Sequence, residues 1–290
     1  MNCLFSGLKA DTKEHVIPMW LQKRMSLTDK TLLLPNNTEL KYKHVVVPAH
    51  KKHNEKFATI EERISNGIFN INEVYLWALK IHVGLLVRDS TLKIDIKKPD
   101  SNFILNINNI SSELNLFRML YEIWSNGGTF EPNPFGSVFI IDSVTPYNQF
   151  DLLHCPITKT IGIDIGDKFI LVLLWDKQRT MSSNVLEEWY NYRLPNLKKL
   201  NQSLNYEDHC FMVLRVFACE TAYFSFLHQS AKISFIKTKN SIALLPSFNG
   251  DLKKDFNDDE YKFICRNFGL KRIIESSLGK YVYTQLKIKN

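Results

Sequence analysis

The spacing of apolar residues changes near residue 136, and that change limits the folds this chain can adopt. Between residues 72 and 125 apolar side chains recur every three or four positions, which predicts helices over 72–88 and 112–125. From residue 136 onward they run together or alternate, which predicts a strand over 136–141 and a hairpin that turns at Gly166 and Asp167. Helices followed by hairpin strands predict an α+β fold with a mostly antiparallel sheet.

The N-terminal part has a pattern of its own. A β-branched run at 45–47 predicts a short strand, and apolar residues at helical spacing predict a helix over 54–64 that ends at Asn66 and Gly67. We therefore expect two domains, a small one over residues 1–68 and an α+β domain over 69–290. In the second domain, four more segments are predicted: a strand or helix at 211–217, a strand at 233–236, a helix at 258–267 and a closing strand at 281–288.

Composition and cysteine usage indicate the class of protein and its compartment. The 290 residues are 44% apolar and 23% charged, which is ordinary for a globular chain with a substantial core. No apolar run approaches the length of a membrane span, and we expect neither a signal peptide nor a membrane partner. The five cysteines are odd in number and scattered, which argues against a disulfide framework and for the cytoplasm.

Two short clusters of chemistry-bearing residues lie within the first 66 positions. An acidic residue precedes a histidine in Glu14-His15-Val16-Ile17-Pro18, and a second cluster reads His50-Lys51-Lys52-His53-Asn54. Residues 1–66 also hold eleven Lys and Arg against seven Asp and Glu, a net of +4 within a total of +7. This excess permits a polyanionic partner without requiring one.

With Cys3-Leu4-Phe5-Ser6 added, these clusters resemble an HNH endonuclease domain of the ββα-metal, or His-Me finger, class. The resemblance covers residues 1–66 and does not extend to the rest of the chain. It implies hydrolysis of phosphodiester bonds, a reaction that needs a base to activate water and a cation to offset charge on the phosphate. It therefore implies a metal-dependent endonuclease that acts on nucleic acid, with DNA the expected substrate.

The family's layout implies a role for each matching residue. His15 would be the general base, because the pKa of a histidine lies near neutrality. Glu14 and Asn54 would hold Mg²⁺ or Mn²⁺ through oxygen ligands. His44 lies near the position that usually carries Asn or His, and is a further catalytic candidate that would polarise the phosphate or orient the loop.

Many relatives also carry a structural zinc held by two Cys-x-x-Cys knuckles. Here three positions could still bind zinc, namely Cys3, His50 and His53, but Ser6 is a poor fourth ligand. Two interpretations stay open: a zinc ion with another fourth ligand, or a knuckle held by packing without zinc.

Basic side chains around these clusters are expected to contact the phosphate backbone. The candidates for nucleic-acid binding are Lys13, Lys23, Arg24, Lys51, Lys52 and Lys56.

Stand-alone HNH proteins with unrelated partner domains often act in bacterial phage defence or in mobile elements, so the resemblance implies such a setting. The second domain would then recognise a substrate or a protein partner. Two alternatives remain: an HNH-like module that binds nucleic acid or protein without cutting, and an interaction module within a toxin–antitoxin or defence complex.

Overall fold

The chain forms two units of mixed helix and strand. In the computed structural model described here, the described residues are 2–98, 100–143, 150–183, 187, 191, 206–227, 235–244, 258–268, 272–276 and 279–283. The first unit contains residues 1–133 and 235–243, and the second contains residues 134–234 and 244–290. Helices and mostly antiparallel sheets confirm the predicted α+β fold.

The first unit begins with a strand–strand–helix arrangement. Strand β1 (Thr12–His15) pairs antiparallel with β4 (Val46–Ala49), and helix α2 (Lys51–Ser65) follows β4 after a single residue. The connection between the two strands holds α1 (Met19–Arg24) and a short hairpin. That hairpin is formed by β2 (Thr31–Leu33) and β3 (Glu39–Lys41).

Two longer helices complete the first unit, α3 (Ile71–Asp89) and α4 (Ser111–Ser125), close to their predicted bounds. The side chain of Asn70 caps α3, because its Oδ1 accepts hydrogen bonds from the backbone N–H groups of Asn72 and Glu73. Residues 74–86 of α3 are all buried, so this helix is enclosed on every side rather than buried along a single apolar face.

The predicted domain boundary at residue 68 falls inside the first unit, in the turn between α2 and α3. Helices α2 and α3 belong to the same unit and pack against each other. Helix α3 also approaches the end of β1 closely at Gly84. A Cβ built on Gly84 would lie 3.0 Å from a methyl group of Val16, the residue that follows β1. The strand–strand–helix segment is therefore not a separate unit in this structure.

Aromatic rings fill the space between the N-terminal turn, α2 and α4. The ring of Phe5 lies 5.0–5.7 Å from those of Phe57, Phe117 and Tyr121, measured between centroids. Trp124 extends the cluster from Tyr121 and Phe57 at 6.1 and 6.4 Å. Aromatic pairs at these distances add to the free energy gained by burying their area.

A later segment of the chain returns to the first unit. Strand β5 (Thr129–Glu131) pairs in parallel with β11 (Ser241–Leu244), whose other neighbour is β10 (Phe235–Lys237). The strand predicted at 233–236 thus overlaps β10, while residues 233 and 234 lie outside the described residues. The β5–β11 pair departs from the predicted antiparallel pattern.

The second unit is built on a four-stranded antiparallel sheet with the order β6–β9–β8–β7. Its strands are β6 (Ser137–Asp142), β7 (Leu152–Cys155), β8 (Thr160–Asp164) and β9 (Lys168–Leu173). The predicted strand at 136–141 and the predicted hairpin are both confirmed. Gly166 in the hairpin turn has a φ of +107°, a conformation that glycine adopts without strain.

Two helices pack on one face of this sheet, α5 (Tyr206–Leu227) and α6 (Asp258–Asn267). The segment 211–217, for which strand and helix were both open, is helical. Arg215 of α5 donates two 2.8 Å hydrogen bonds to the carboxylate of Asp151, which ties the helix to the edge of β7. A final hairpin joins β12 (Arg272–Ser276) to β13 (Gly279–Tyr283); residues 284–288 of the predicted closing strand lie outside the described part.

Close packing around β8 requires a glycine at position 162, and replacing Gly162 tests this packing within the sheet. A Cβ at this position would lie 2.8 Å from the ring of Phe169 and 3.4 Å from Cβ of Leu153. We predict that Gly162→Ala lowers the free energy of unfolding by about 1–3 kcal/mol in urea titrations. The cost should shrink in a Phe169→Leu background, and an equal cost in both backgrounds would contradict this explanation.

Candidate active site

The last two residues of β1 point to opposite faces of the β1–β4 pair, because side chains alternate along a strand. Glu14 lies opposite Val47, and both are buried. His15 lies opposite Val46, and both are partly exposed. Glu14 therefore belongs to the inner face of this pair, and His15 belongs to the outer face.

The environment of His15 favours a neutral imidazole. Burial lowers its pKa below the ordinary 6.5, and the charge of Lys80 lowers it further, while Glu14 and a hydrogen bond to the backbone of Lys43 partly offset the shift. A neutral imidazole keeps one ring nitrogen with a lone pair, and that nitrogen can accept a proton.

The inner face holds a buried cluster centred on Lys80 of α3. The Lys80 ammonium lies 2.5 Å from Oε1 of Glu14 and 3.0 Å from Oε1 of Glu61, a residue of α2. It also donates to the backbone carbonyl of His15 at 2.7 Å, and Val16 O lies 3.4 Å away. One side chain therefore connects α3, α2 and the end of β1.

Charge and burial act against each other in this cluster. Burial disfavours the charged form of Lys80, but the carboxylates of Glu14 and Glu61 outweigh it and raise the pKa of the ammonium above its ordinary value. Burial also raises the pKa of Glu61 to about 7, against the opposing effect of Lys80. The ammonium is therefore charged at neutral pH, and Glu14 is its closer partner.

Neither Lys80 nor Glu61 was a sequence candidate. The signal was present for Lys80, which interrupts the apolar residues of a helix that is buried on every side. A lysine is almost never fully buried unless it is paired, so its position alone indicates a buried carboxylate partner. Glu61 gave no such signal, because it lies on a partly exposed side of α2.

The predicted metal ligands differ in how well they fit a hydrated divalent ion. Asn54 lies in the first turn of α2, is partly exposed, and carries an amide oxygen of the kind that Mg²⁺ binds. Glu14 does not fit, since its side chain is only 9% exposed and its carboxylate is already bound to an ammonium. Magnesium normally retains several waters, and a buried, occupied carboxylate has little room for them.

His44 lies close to the partner of His15. It ends a short 3₁₀ helix, Tyr42–His44, and is exposed. It directly follows Lys43, whose backbone binds the His15 ring. This position, two residues before β4 begins, suits the role of a second polar group beside His15.

The predicted zinc positions meet where the N-terminal turn packs against the start of α2. Sγ of Cys3 accepts the backbone N–H of His50 at 3.2 Å, and Nδ1 of His50 is buried with no hydrogen-bond partner among the described residues. Nε2 of His50 lies 3.3 Å from Asp11, and Nδ1 of His53 lies 3.0 Å from the hydroxyl of Tyr121. Burial and nearby positive charge lower the pKa of His53.

Helix α4 supplies contacts that hold this turn without a metal ion. The guanidinium of Arg118 donates to the carbonyls of Cys3 and Leu4, each at 3.1 Å. Phe5 packs into the aromatic cluster described above. Within the described residues, no group of three His, Cys, Asp or Glu side chains is arranged to hold a metal ion. Zinc binding by Cys3, His50 and His53 stays a prediction.

The six predicted nucleic-acid contacts fall into two groups. Two of them make hydrogen bonds within the fold. Arg24 donates to the carbonyl of Ser65 at 2.6 Å, and its guanidinium stacks over the ring of Trp20. The ammonium of Lys56 donates to the carbonyl of Ser125. Lys56 is nevertheless exposed, as are the other four, Lys13, Lys23, Lys51 and Lys52. Lys13 shares the outer face of β1 with His15, because the two are separated by one inward residue.

Comparisons with known proteins identify no relative. No family model, no curated protein and no solved structure matches the chain. Among the residues that the structure describes, no helix combines the length and apolar character needed to cross a membrane. The resemblance to HNH domains therefore rests on the sequence alone and stays a prediction.

We predict that the imidazole of His15 titrates below pH 6.5 in the folded protein, since burial and the Lys80 charge both disfavour its proton. Histidine-selective ¹⁵N NMR across a pH series measures the midpoint, and the spectrum of a His15→Gln variant assigns the signal. In concentrated urea the midpoint should return to about 6.5. A folded-state midpoint at or above that value would contradict the described environment.

Proposed function

We propose that this protein is an HNH-type endonuclease that hydrolyses phosphodiester bonds in nucleic acid, with DNA as the expected substrate. The observation that carries the proposal is the setting of His15: a neutral imidazole at the end of β1, on the open face of a strand pair that leads directly into a helix. A neutral imidazole keeps one unprotonated ring nitrogen, which can take a proton from water.

The remaining groups suit a phosphate substrate. Lys13 is exposed on the same face as His15 and can contact a backbone phosphate, and exposed His44 lies within the loop that holds His15. Asn54 is the candidate ligand for Mg²⁺ or Mn²⁺. A divalent ion bound there would offset the negative charge that develops on the scissile phosphate.

A second function is favoured by one specific observation. The carboxylate of Glu14 is bound to Lys80 rather than open to a metal ion. A domain in which this ligand is lost could bind nucleic acid or a partner protein through its basic surface without cutting. The same surface lysines would then provide affinity that falls as salt concentration rises.

The setting of the protein is also part of the proposal. The described cysteines Cys3, Cys155, Cys219 and Cys265 are free thiols, which agrees with a cytoplasmic location. The second unit would recognise the substrate or a protein partner, as in phage-defence or mobile-element nucleases. In a toxin–antitoxin or defence complex, the second unit would bind another protein.

The proposal predicts metal-dependent nicking of supercoiled plasmid DNA that depends on His15. His15→Ala should lower the cleavage rate by about 10²–10⁴-fold, the contribution typical of a general base. Lys97→Ala is a matched control, because Lys97 is exposed and lies in the loop after α3, outside the strand–strand–helix segment. Circular dichroism of each variant verifies that the fold is kept.

The outcomes separate the two functions. Nicking by wild type and Lys97→Ala with Mg²⁺ or Mn²⁺, and its loss in His15→Ala, supports the nuclease. Equal nicking by wild type and His15→Ala would contradict it. No nicking under any metal condition, together with salt-sensitive DNA binding that His15→Ala retains, favours the binding module.

A further inference from the structure

The ammonium of Lys80 lies in a shell of oxygen atoms that resembles the surroundings of a bound metal ion. Two carboxylate oxygens, from Glu14 and Glu61, approach it at 2.5 and 3.0 Å. Two backbone carbonyls, from His15 and Val16, approach at 2.7 and 3.4 Å. Carboxylate and carbonyl oxygens are also the ligands that hard divalent cations select.

Burial strongly favours a cation at this point. Lys80 is fully buried, and the side chains of Glu14 and Glu61 are only 9% and 14% exposed. Two carboxylates so close together in the interior are stabilised in their ionised forms by a positive charge between them, because neither can be fully hydrated. The chain supplies that charge itself, from the middle of a helix that packs against both β4 and α2.

Lys80 occupies the space beside Oε1 of Glu14 that a metal ion would need. Phe57 lies beneath the ammonium, with its ring centroid 5.8 Å from Nζ, and closes the side toward the aromatic cluster. A divalent ion could bind Glu14 on this inner face only by displacing Lys80, whose whole side chain is enclosed by the fold.

We propose that Lys80 is a built-in cation that occupies the binding position between Glu14 and Glu61 and excludes divalent metal ions from it. Any divalent ion that the protein uses binds elsewhere, without Glu14. Removal of the Lys80 side chain converts the same oxygen atoms into a divalent cation site. This inference does not require the protein to cut nucleic acid.

Mn²⁺ binding to the full chain tests the proposal directly. Electron paramagnetic resonance counts free and bound Mn²⁺ for wild type, Lys80→Ala and the double variant Lys80→Ala/Glu61→Gln. Lys80→Ala should gain one site that binds at least about tenfold more tightly than any wild-type site, and the double variant should lose it. A folded Lys80→Ala protein that gains no site would overturn the proposal.

A second arm keeps the test decisive if Lys80→Ala does not fold. Glu14→Gln in the otherwise native chain retains Lys80 and Glu61, and its Mn²⁺ titration is compared with that of wild type. Equal binding, or absence of binding in both, supports the exclusion of metal from Glu14. A loss of about tenfold or more in Mn²⁺ affinity on Glu14→Gln would overturn it, whatever the nuclease assay shows.

Discussion

The buried ammonium of Lys80 is the interaction on which the N-terminal unit depends. It binds the carboxylates of Glu14 and Glu61 and the carbonyl of His15, so it connects the end of β1 to α2 and α3. Removing one partner of a buried ion pair leaves an uncompensated charge in the interior, which typically costs about 3–5 kcal/mol. The cluster therefore fixes the position of the one histidine on which the candidate chemistry relies.

This arrangement divides the Glu14-His15 pair between two tasks. Glu14 faces inward and stabilises the fold through Lys80, whereas His15 faces outward with a lowered pKa and a ring nitrogen free to accept a proton. The backbone carbonyl of His15 links the two sides, because Lys80 holds it at 2.7 Å. In the N-terminal turn, Arg118 donates to the carbonyls of Cys3 and Leu4, and Phe5 packs within the aromatic cluster.

The sequence pattern predicted those helices and strands that depend on residues only a few positions apart in the chain. Helices α3 and α4 and the β8–β9 hairpin were predicted because apolar spacing and turn residues act within a few positions. The 211–217 segment stayed ambiguous, since a helix packed on a sheet can be apolar on more than one side. The Lys80 cluster joins residues 65 positions apart, and only packing brings them together. Residue types predicted His15 and Glu14 as a pair, but only the register of β1 with β4 shows that they face opposite ways.

The most direct test of this account is a double-mutant cycle on the stability of the chain. The free energies of unfolding in urea are measured for wild type, Glu14→Gln, Lys80→Met and the double variant. If Lys80 compensates two buried carboxylates, Lys80→Met should be costly alone and far less costly beside Glu14→Gln, with a coupling energy of about 2 kcal/mol or more. Costs that add to within about 0.5 kcal/mol would contradict the central role of this cluster.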